Sequence, residues 1–330
     1  MTHADAAVKP AAAGLGGRLI GLLAMEAILL ALVVVLVFTA PGFATLGNLL
    51  NVLRTVSMLG IIAFGMTAVI IAGEIDLSVG AGAALAGCIV AWFAGAWSDT
   101  IGSGPAILIG FVAALLAGAA SGVVSGKVRQ WFNVPTFITT LAMFTALRGA
   151  ANLITGGFPL ATFPDWFFFF GAGALFGIPF PVYVFAGIFL AMHFLMKYTG
   201  FGRAVYAVGG NAEAARLSGI DVYGVKTMTL AITGMLTAVT GTLLASQIGS
   251  GVGTTATGME LDVIAATIIG GTSLFGGKGR IWGTLLGVIF LGCISNGMTL
   301  LNVSEYWQLV ARGAIILGAV LLNQLLERIR

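Results

Sequence analysis

Charge is scarce in this sequence. Only 8% of its 330 residues are Asp, Glu, Lys or Arg, against about 25% in an average soluble domain. With 59% hydrophobic residues and a mean hydropathy of +1.07, the chain has too little polar surface to face water, so its solvent is lipid. Cysteine and histidine are nearly absent, at two residues each. Cys88 and Cys293 sit in apolar runs and make neither a disulfide framework nor a zinc site. His3 lies near the N-terminus and His193 stands alone. There is no metal-ligand spacing, nucleophile elbow or catalytic triad, so no catalytic residue and no metal ligand is expected. The segment GGTSLFGGKGR at 270–280 fails as a phosphate loop. Thr272 stands where that motif needs its first Gly, and Gly279 where it needs Ser or Thr. Any ATP that drives this protein is therefore hydrolysed on another chain. The net charge of +3 gives no sign of a nucleic-acid partner.

Glycine, by contrast, is abundant at 49 residues, about twice its usual share. In lipid, small residues let helix backbones approach closely. The series Gly118, Gly122, Gly126 and Gly279, Gly283, Gly287 predict two such contacts. The first 18 residues read as a short cytoplasmic tail, and 19–330 as one transmembrane domain. Ten apolar segments follow one another at 19–40, 55–72, 77–93, 105–124, 134–154, 179–196, 227–248, 261–274, 281–300 and 306–326. The first is too long for a signal-peptide core and long enough to span. Threading all ten from a cytoplasmic N-terminus puts Lys127, Arg129, Lys197, Arg203, Arg216, Lys226, Lys278, Arg280, Arg328 and Arg330 inside. Asp99, Asp165, Glu305 and Arg54 fall outside. That is the positive-inside pattern, with both termini cytoplasmic. The aromatic stretch within 155–173 then reads as an external interfacial belt.

Two acidic stretches interrupt the apolar pattern: IAGEIDLSVG at 71–80 and GMELDVIAAT at 258–267. Both join neighbouring spans, and the threading runs them in opposite directions. This suggests an inverted repeat, roughly 55–154 against 227–326. Asp76 and Asp262 are candidates for capping the helices that follow. Alternatively, Glu74, Asp76, Ser78 and Asp262 line or gate a pathway, because ionisable groups at membrane depth normally face a polar cavity. In the fifth span Thr145, Arg148, Asn152 and Thr155 share one helix face. Arg148 and Asn152 either meet a polyol substrate or lock helices together through a buried pair.

The segment VGGNAEAARLSGIDV at 208–222 differs in kind. Asn211 suits an N-cap and Gly219 a left-handed C-cap, while Glu213 and Arg216 are spaced to pair. A short, polar, capped helix between basic residues, within a cytoplasmic segment 197–226, reads as a docking element for a soluble partner.

These residues resemble the permease subunits of bacterial ABC importers for ribose and related monosaccharides, a group related to branched-chain amino acid permeases. The resemblance covers nearly the whole chain. It rests on NLLNVLRTVSMLGIIAFGMTAVIIAG at 48–73, IDLSVG at 75–80, VPTFITTLAMFTALRG at 134–149, GGNAEAARLSGI at 209–220 and GGTSLFGGKGRIWGTLLG at 270–287. It implies an all-α polytopic fold of about ten transmembrane helices with an inverted repeat, of the type II (vitamin B12-importer-like) permease architecture. It also implies a bacterial inner-membrane location and a second permease copy, identical or paralogous. The other implied partners are a periplasmic sugar-binding protein and an ABC ATPase, which uses ATP and Mg while this chain binds no cofactor.

Glu213-Ala214-Ala215 followed by Gly219 looks like the loop by which such permeases engage their ATPase. Coupling is thus expected at Asn211, Glu213, Ala214, Ala215, Arg216, Ser218 and Gly219. The Ile and Leu-Pro that end the broader form of this motif are absent, so only the sugar-permease form is supported. The family usually carries Gly where this chain has Glu74. The added carboxylate either alters the cavity or projects into solvent. A competing class is the ion- or proton-coupled secondary carrier, with Glu74 or Asp76 as the coupling site.

Overall fold

In lipid, a segment must satisfy its own backbone N–H and C=O groups, so apolar runs of this length fold as helices. A computed structural model describes residues 15–329. Residues 1–14, which make up most of the expected tail, and Arg330 lie outside the described residues. The described helices are α1 (Leu15–Thr39), α2 (Leu46–Ile71), α3 (Val79–Ile101), α4 (Ser103–Phe132), α5 (Thr136–Thr155), α6 (Phe168–Ala172) and α7 (Phe180–Tyr198). They continue as α8 (Gly200–Gly210), α9 (Ala212–Leu217), α10 (Val222–Ile248), α11 (Met259–Ile269), α12 (Ile281–Leu300) and α13 (Glu305–Ile329). A two-residue hairpin, β1 (Ala174–Leu175) and β2 (Ile178–Pro179), precedes α7.

Among the described residues seven helices, α2, α3, α4, α5, α7, α10 and α12, are long and apolar enough to cross a membrane. The chain is a polytopic integral membrane protein. Each of the ten apolar segments of the sequence coincides at least in part with a helix. The eighth is the outlier: α11 has 11 residues, about 16 Å of helix, where a bilayer core is about 30 Å thick. The segment 261–274 therefore is not one continuous span.

The most deeply buried helix is α2, with Ile61, Ile62, Phe64, Met66, Ile70 and Ile71 fully enclosed. It lies against α12, α11 and α7, while α10 lies against α4 and α3 as well as α2. Polar pairs tie α2 to α12: Asn48 and Asn296 exchange side-chain amide hydrogen bonds of 2.8 and 2.9 Å, and Thr67 and Thr284 hydroxyls meet at 2.6 Å. Outward faces of α4 and α7 keep Leu108, Leu116, Leu190 and Phe194 exposed, which suits a lipid surround.

The first glycine series does what its spacing predicts. A methyl group added at Gly118 or Gly122 would collide with the backbone carbonyl of Gly234 or Leu230, and one at Gly126 with Thr227. Helices α4 and α10 thus meet backbone to backbone. In the second series Gly283 and Gly287 abut the carbonyls of Gly270 and Ala266, which brings α12 onto the end of α11. Gly279 lies just before α12 and packs on Thr272.

Candidate functional site

The two acidic stretches begin in non-helical joints, open chain over 74–78 and a run of turns over 253–258. Residues 72–78 link α2 to α3, and 249–258 link α10 to α11. A methyl group at Gly82, near the start of α3, would lie 3.1 Å from Thr237 Cγ2, close to the middle of the 27-residue α10. Helix α3 therefore begins level with the centre of α10. Helix α11 begins there too, because a methyl group at Gly80 would collide with Glu260 Oε2 in its first turn. Two helix N-termini thus meet inside the bundle, an arrangement that polar chain tolerates only where it is buried in protein or lines a cavity.

The four acids at these joints are held differently. Asp76 acts as a turn-former: its Oδ1 accepts from Ser78 N at 2.8 Å and Ser78 Oγ at 2.6 Å, just before α3 starts at Val79 rather than Leu77. Glu74 is buried, with 6% of its surface exposed, so it does not project into solvent. Its Oε1 lies 2.6 Å from Lys226 Nζ and 2.7 Å from Arg129 Nε. Asp262 does not cap α11. The N-cap is Gly258, which leaves Asp262 inside the first turn, where its Oδ2 accepts from Arg312 Nη1 on α13 at 2.8 Å. Glu260 keeps a buried Oε2 with no hydrogen-bond partner among the described residues.

Arg148 on α5 donates from Nη1 to the carbonyls of Gly253 at 2.8 Å and Thr255 at 2.9 Å. Asn152 Nδ2 donates to the carbonyl of Arg148 at 2.9 Å. The polar stripe of α5 thus secures the 249–258 joint, which Leu160 also holds through paired backbone bonds with Gly251. Arg129, Lys226, Glu260 and Arg312 were not singled out as site residues by sequence reasoning. Two of them carried a signal in the repeat: Glu260-Leu261-Asp262 echoes Glu74-Ile75-Asp76, and Arg312-Gly313-Ala314 repeats Arg148-Gly149-Ala150.

At one end of the molecule, α9 has the features its sequence implies. Asn211 Oδ1 accepts from Ala214 N at 2.9 Å, and Gly219 closes the helix with φ +83°. Ile220 N and Gly219 N bond back to Ala215 O and Arg216 O. Arg216 donates to both carboxylate oxygens of Glu213, at 2.6 and 3.1 Å. These bonds, reinforced by the positive charge, hold the Glu213 carboxyl below its ordinary range. Ala215 is buried, whereas Asn211, Glu213, Ala214, Arg216, Ser218 and Gly219 are exposed.

The flanks of α9 rest on the end of α2 and on the joint that follows it. Before α9, Gly209 presses on the carbonyl of Ile71, beside Gly277, whose N–H bonds that same carbonyl at 2.8 Å. After it, Lys226 grips Glu74.

Comparison with known proteins agrees with this architecture. Residues 48–320 match the family described as branched-chain amino acid transport system / permease component, and the chain belongs to that family of membrane permeases. It is 41% identical over 299 residues to the ribose import permease protein of Escherichia coli K12, covering 89% of this chain and 91% of that protein. The ribose import permease protein of Bacillus subtilis 168 is 42% identical over 295 residues, covering 89% of each. The L-arabinose ABC transporter permease protein of Azospirillum brasilense is 37% identical over 322 residues, covering 97% of this chain and 93% of that one. No solved structure matches the chain.

Proposed function

We propose that this chain is the membrane-spanning subunit of an ATP-driven importer that moves a monosaccharide, a pentose in the first instance, into the cytoplasm across the bacterial inner membrane. The observation that carries this reading is α9: a helix capped at both ends, exposed, and anchored by its flanks to the end of α2 and the joint that follows it. A partner pressing on α9 moves Gly209 and Lys226 together, and with them the chain that leads to α3 at the centre of the bundle. Similarity to ribose and L-arabinose permeases supports the sugar substrate.

In this reading α9 is cytoplasmic and docks an ABC ATPase, which binds ATP and Mg. The other components are a periplasmic sugar-binding protein and a second permease copy. The chain crosses the membrane with about ten helical segments in the inverted-repeat, type II arrangement. The packing supports the repeat: α10 of the second half lies on α3 and α4 of the first, and α2 lies on α11 and α12. Glu74, Asp76, Ser78, Arg148, Asn152 and Asp262 then belong to the pathway and its gates, as the residues that hold the two joints.

The test is capture of partners by the tagged chain in mild detergent from its native host, repeated with Glu213→Ala plus Arg216→Ala. The expected result is an ATPase retained by the native chain and lost by the double variant. A chain that imports sugar with no ATPase bound, driven by a proton gradient, would be a secondary carrier instead.

A further inference from the structure

Two clefts of similar size open on the helix bundle, and they differ in chemistry. One, of about 380 Å³, is walled by Phe, Leu, Ile and Val side chains of α4, α6, α7 and α10 with Trp166 at its edge, and suits a lipid tail. The other, of about 310 Å³, lies between α2, α10, α11, α12 and α13. Each of those five helices contributes one polar side chain to its lining: Thr55, Gln247, Asp262, Ser295 and Arg312. Met259, Leu59 and Leu244 supply an apolar wall. Polar groups that converge in a membrane protein face water, protein or substrate rather than lipid tails.

We propose that this second cavity is a transient binding site for an uncharged monosaccharide. The inference rests on the reading of the chain as a sugar permease and adds the place where the sugar pauses. Charge argues for a neutral ligand. Asp262 and Arg312 are the charged residues in the lining, and they pair with each other at 2.8 Å. A charged ligand held there would have to take Asp262 or Arg312 from its partner, whereas a bound sugar leaves the pair intact.

Hydrogen-bond capacity argues for a polyol. The Gln247 amide and the Ser295 hydroxyl donate no side-chain bond among the described residues. Asp262 Oδ1 and Arg312 Nε are buried without a hydrogen-bond partner among them. Adjacent hydroxyls of a sugar ring both donate and accept, which matches a set containing amide, hydroxyl, carboxylate and guanidinium. The C–H face of the ring suits the Met and Leu wall. The volume is at the small end of ligand sites, as a single ring requires. Met259 and Asp262 of the first turn of α11 line the cavity, so its occupant touches the helix that Arg312 of α13 holds.

The test uses the full chain in its native host. Cys88 and Cys293 are both buried and are replaced by Ala, and Ser295→Cys is introduced. Labelling by an impermeant cationic methanethiosulfonate is then followed in energy-depleted spheroplasts, with uptake of radiolabelled ribose and L-arabinose measured in parallel in intact cells. Gln247→Ala serves as a second variant, since its side chain holds no other element in place.

The expected result is that Ser295→Cys is labelled from water, that the transported pentose slows labelling at least fivefold, and that leucine does not. Gln247→Ala should lower uptake at sub-saturating sugar about tenfold at unchanged membrane abundance, the size of one lost hydrogen bond of about 1.4 kcal/mol. Sugar uptake with no labelling, or with labelling that no transported sugar slows, overturns the site but leaves the permease reading standing. Absence of any monosaccharide uptake overturns both. Protection by leucine overturns the assignment of a neutral ligand, because a zwitterion would be replacing the Asp262–Arg312 pair.

Discussion

Glu74 Oε1 is shared by two cations from different helices, Lys226 Nζ at 2.6 Å and Arg129 Nε at 2.7 Å. Lys226 opens α10 and Arg129 closes α4, so one carboxylate fastens the joint after α2 to the ends of both. Removing a single partner from a buried pair costs about 3–5 kcal/mol, whereas replacing the pair by apolar groups is often neutral. Glu74→Gln should therefore lower the melting temperature of the detergent-solubilised chain clearly, and Glu74→Gln with Lys226→Met should recover part of it, since Arg129 still lacks its partner. A double variant as unstable as the single would assign the cost to Arg129 rather than to Lys226.

Arg148 holds the second joint by two bonds from one nitrogen to the carbonyls of Gly253 and Thr255. Hydrogen bonds to charged groups contribute about 1.5–3 kcal/mol. Arg148→Ala should speed amide hydrogen exchange in 249–258 by at least tenfold while leaving α10 protected. Unchanged exchange there would assign the hold on this loop to Leu160 alone.

Gly122 abuts the carbonyl of Leu230, whereas Gly187 on α7 has open space around its Cβ position. Gly122→Leu should abolish recovery of folded chain, since overpacking of even a few atoms costs about 1–3 kcal/mol and here the obstacle is backbone. Gly187→Ala should be tolerated and gain up to about 1 kcal/mol from helix propensity. Size-exclusion profiles of the two variants in one detergent decide it.

Arg216 holds the Glu213 carboxyl below its ordinary value. A depressed carboxylate contributes stability above the unfolded-state pKa and loses it as pH falls through the lower, folded value. The pair is fully formed at neutral pH, so capture of the ATPase should be flat from pH 8 down to pH ~5 and should decline only in the acid range below the ordinary value of 4.5. A fall between pH 7 and 6 would place a different titrating group in the contact.

How far the sequence could be read depended on the distance between partners. Asn211, Glu213, Arg216 and Gly219 interact within one turn of each other, so their spacing alone gave caps and ion pair. The Gly118 series was legible for the same reason: a four-residue period names a helix face, and lipid leaves few other uses for one. Glu74 was conspicuous but its partners were not, because Arg129 and Lys226 lie 55 and 152 residues further on. Asp262 read as a cap because acids near helix starts usually are. The helix in fact begins at Met259, and a carboxylate inside the first turn is free to reach α13. Hydropathy likewise ran α11 on to residue 274, because the loop Gly-Gly-Thr-Ser-Leu over 270–274 carries no charge to mark the end of the apolar run.

The contact between α4 and α10 sets a mechanical condition on any working cycle. Carbonyls of Gly234 and Leu230 sit in the notches left by Gly118 and Gly122, so neither helix slides past the other without lifting out of register. The two behave as one rigid strut. Relative movement then falls to parts held by side chains instead: α13, tied to α11 through Arg312 and Asp262, and residues 72–78, pinned by Glu74 to Lys226 and Arg129.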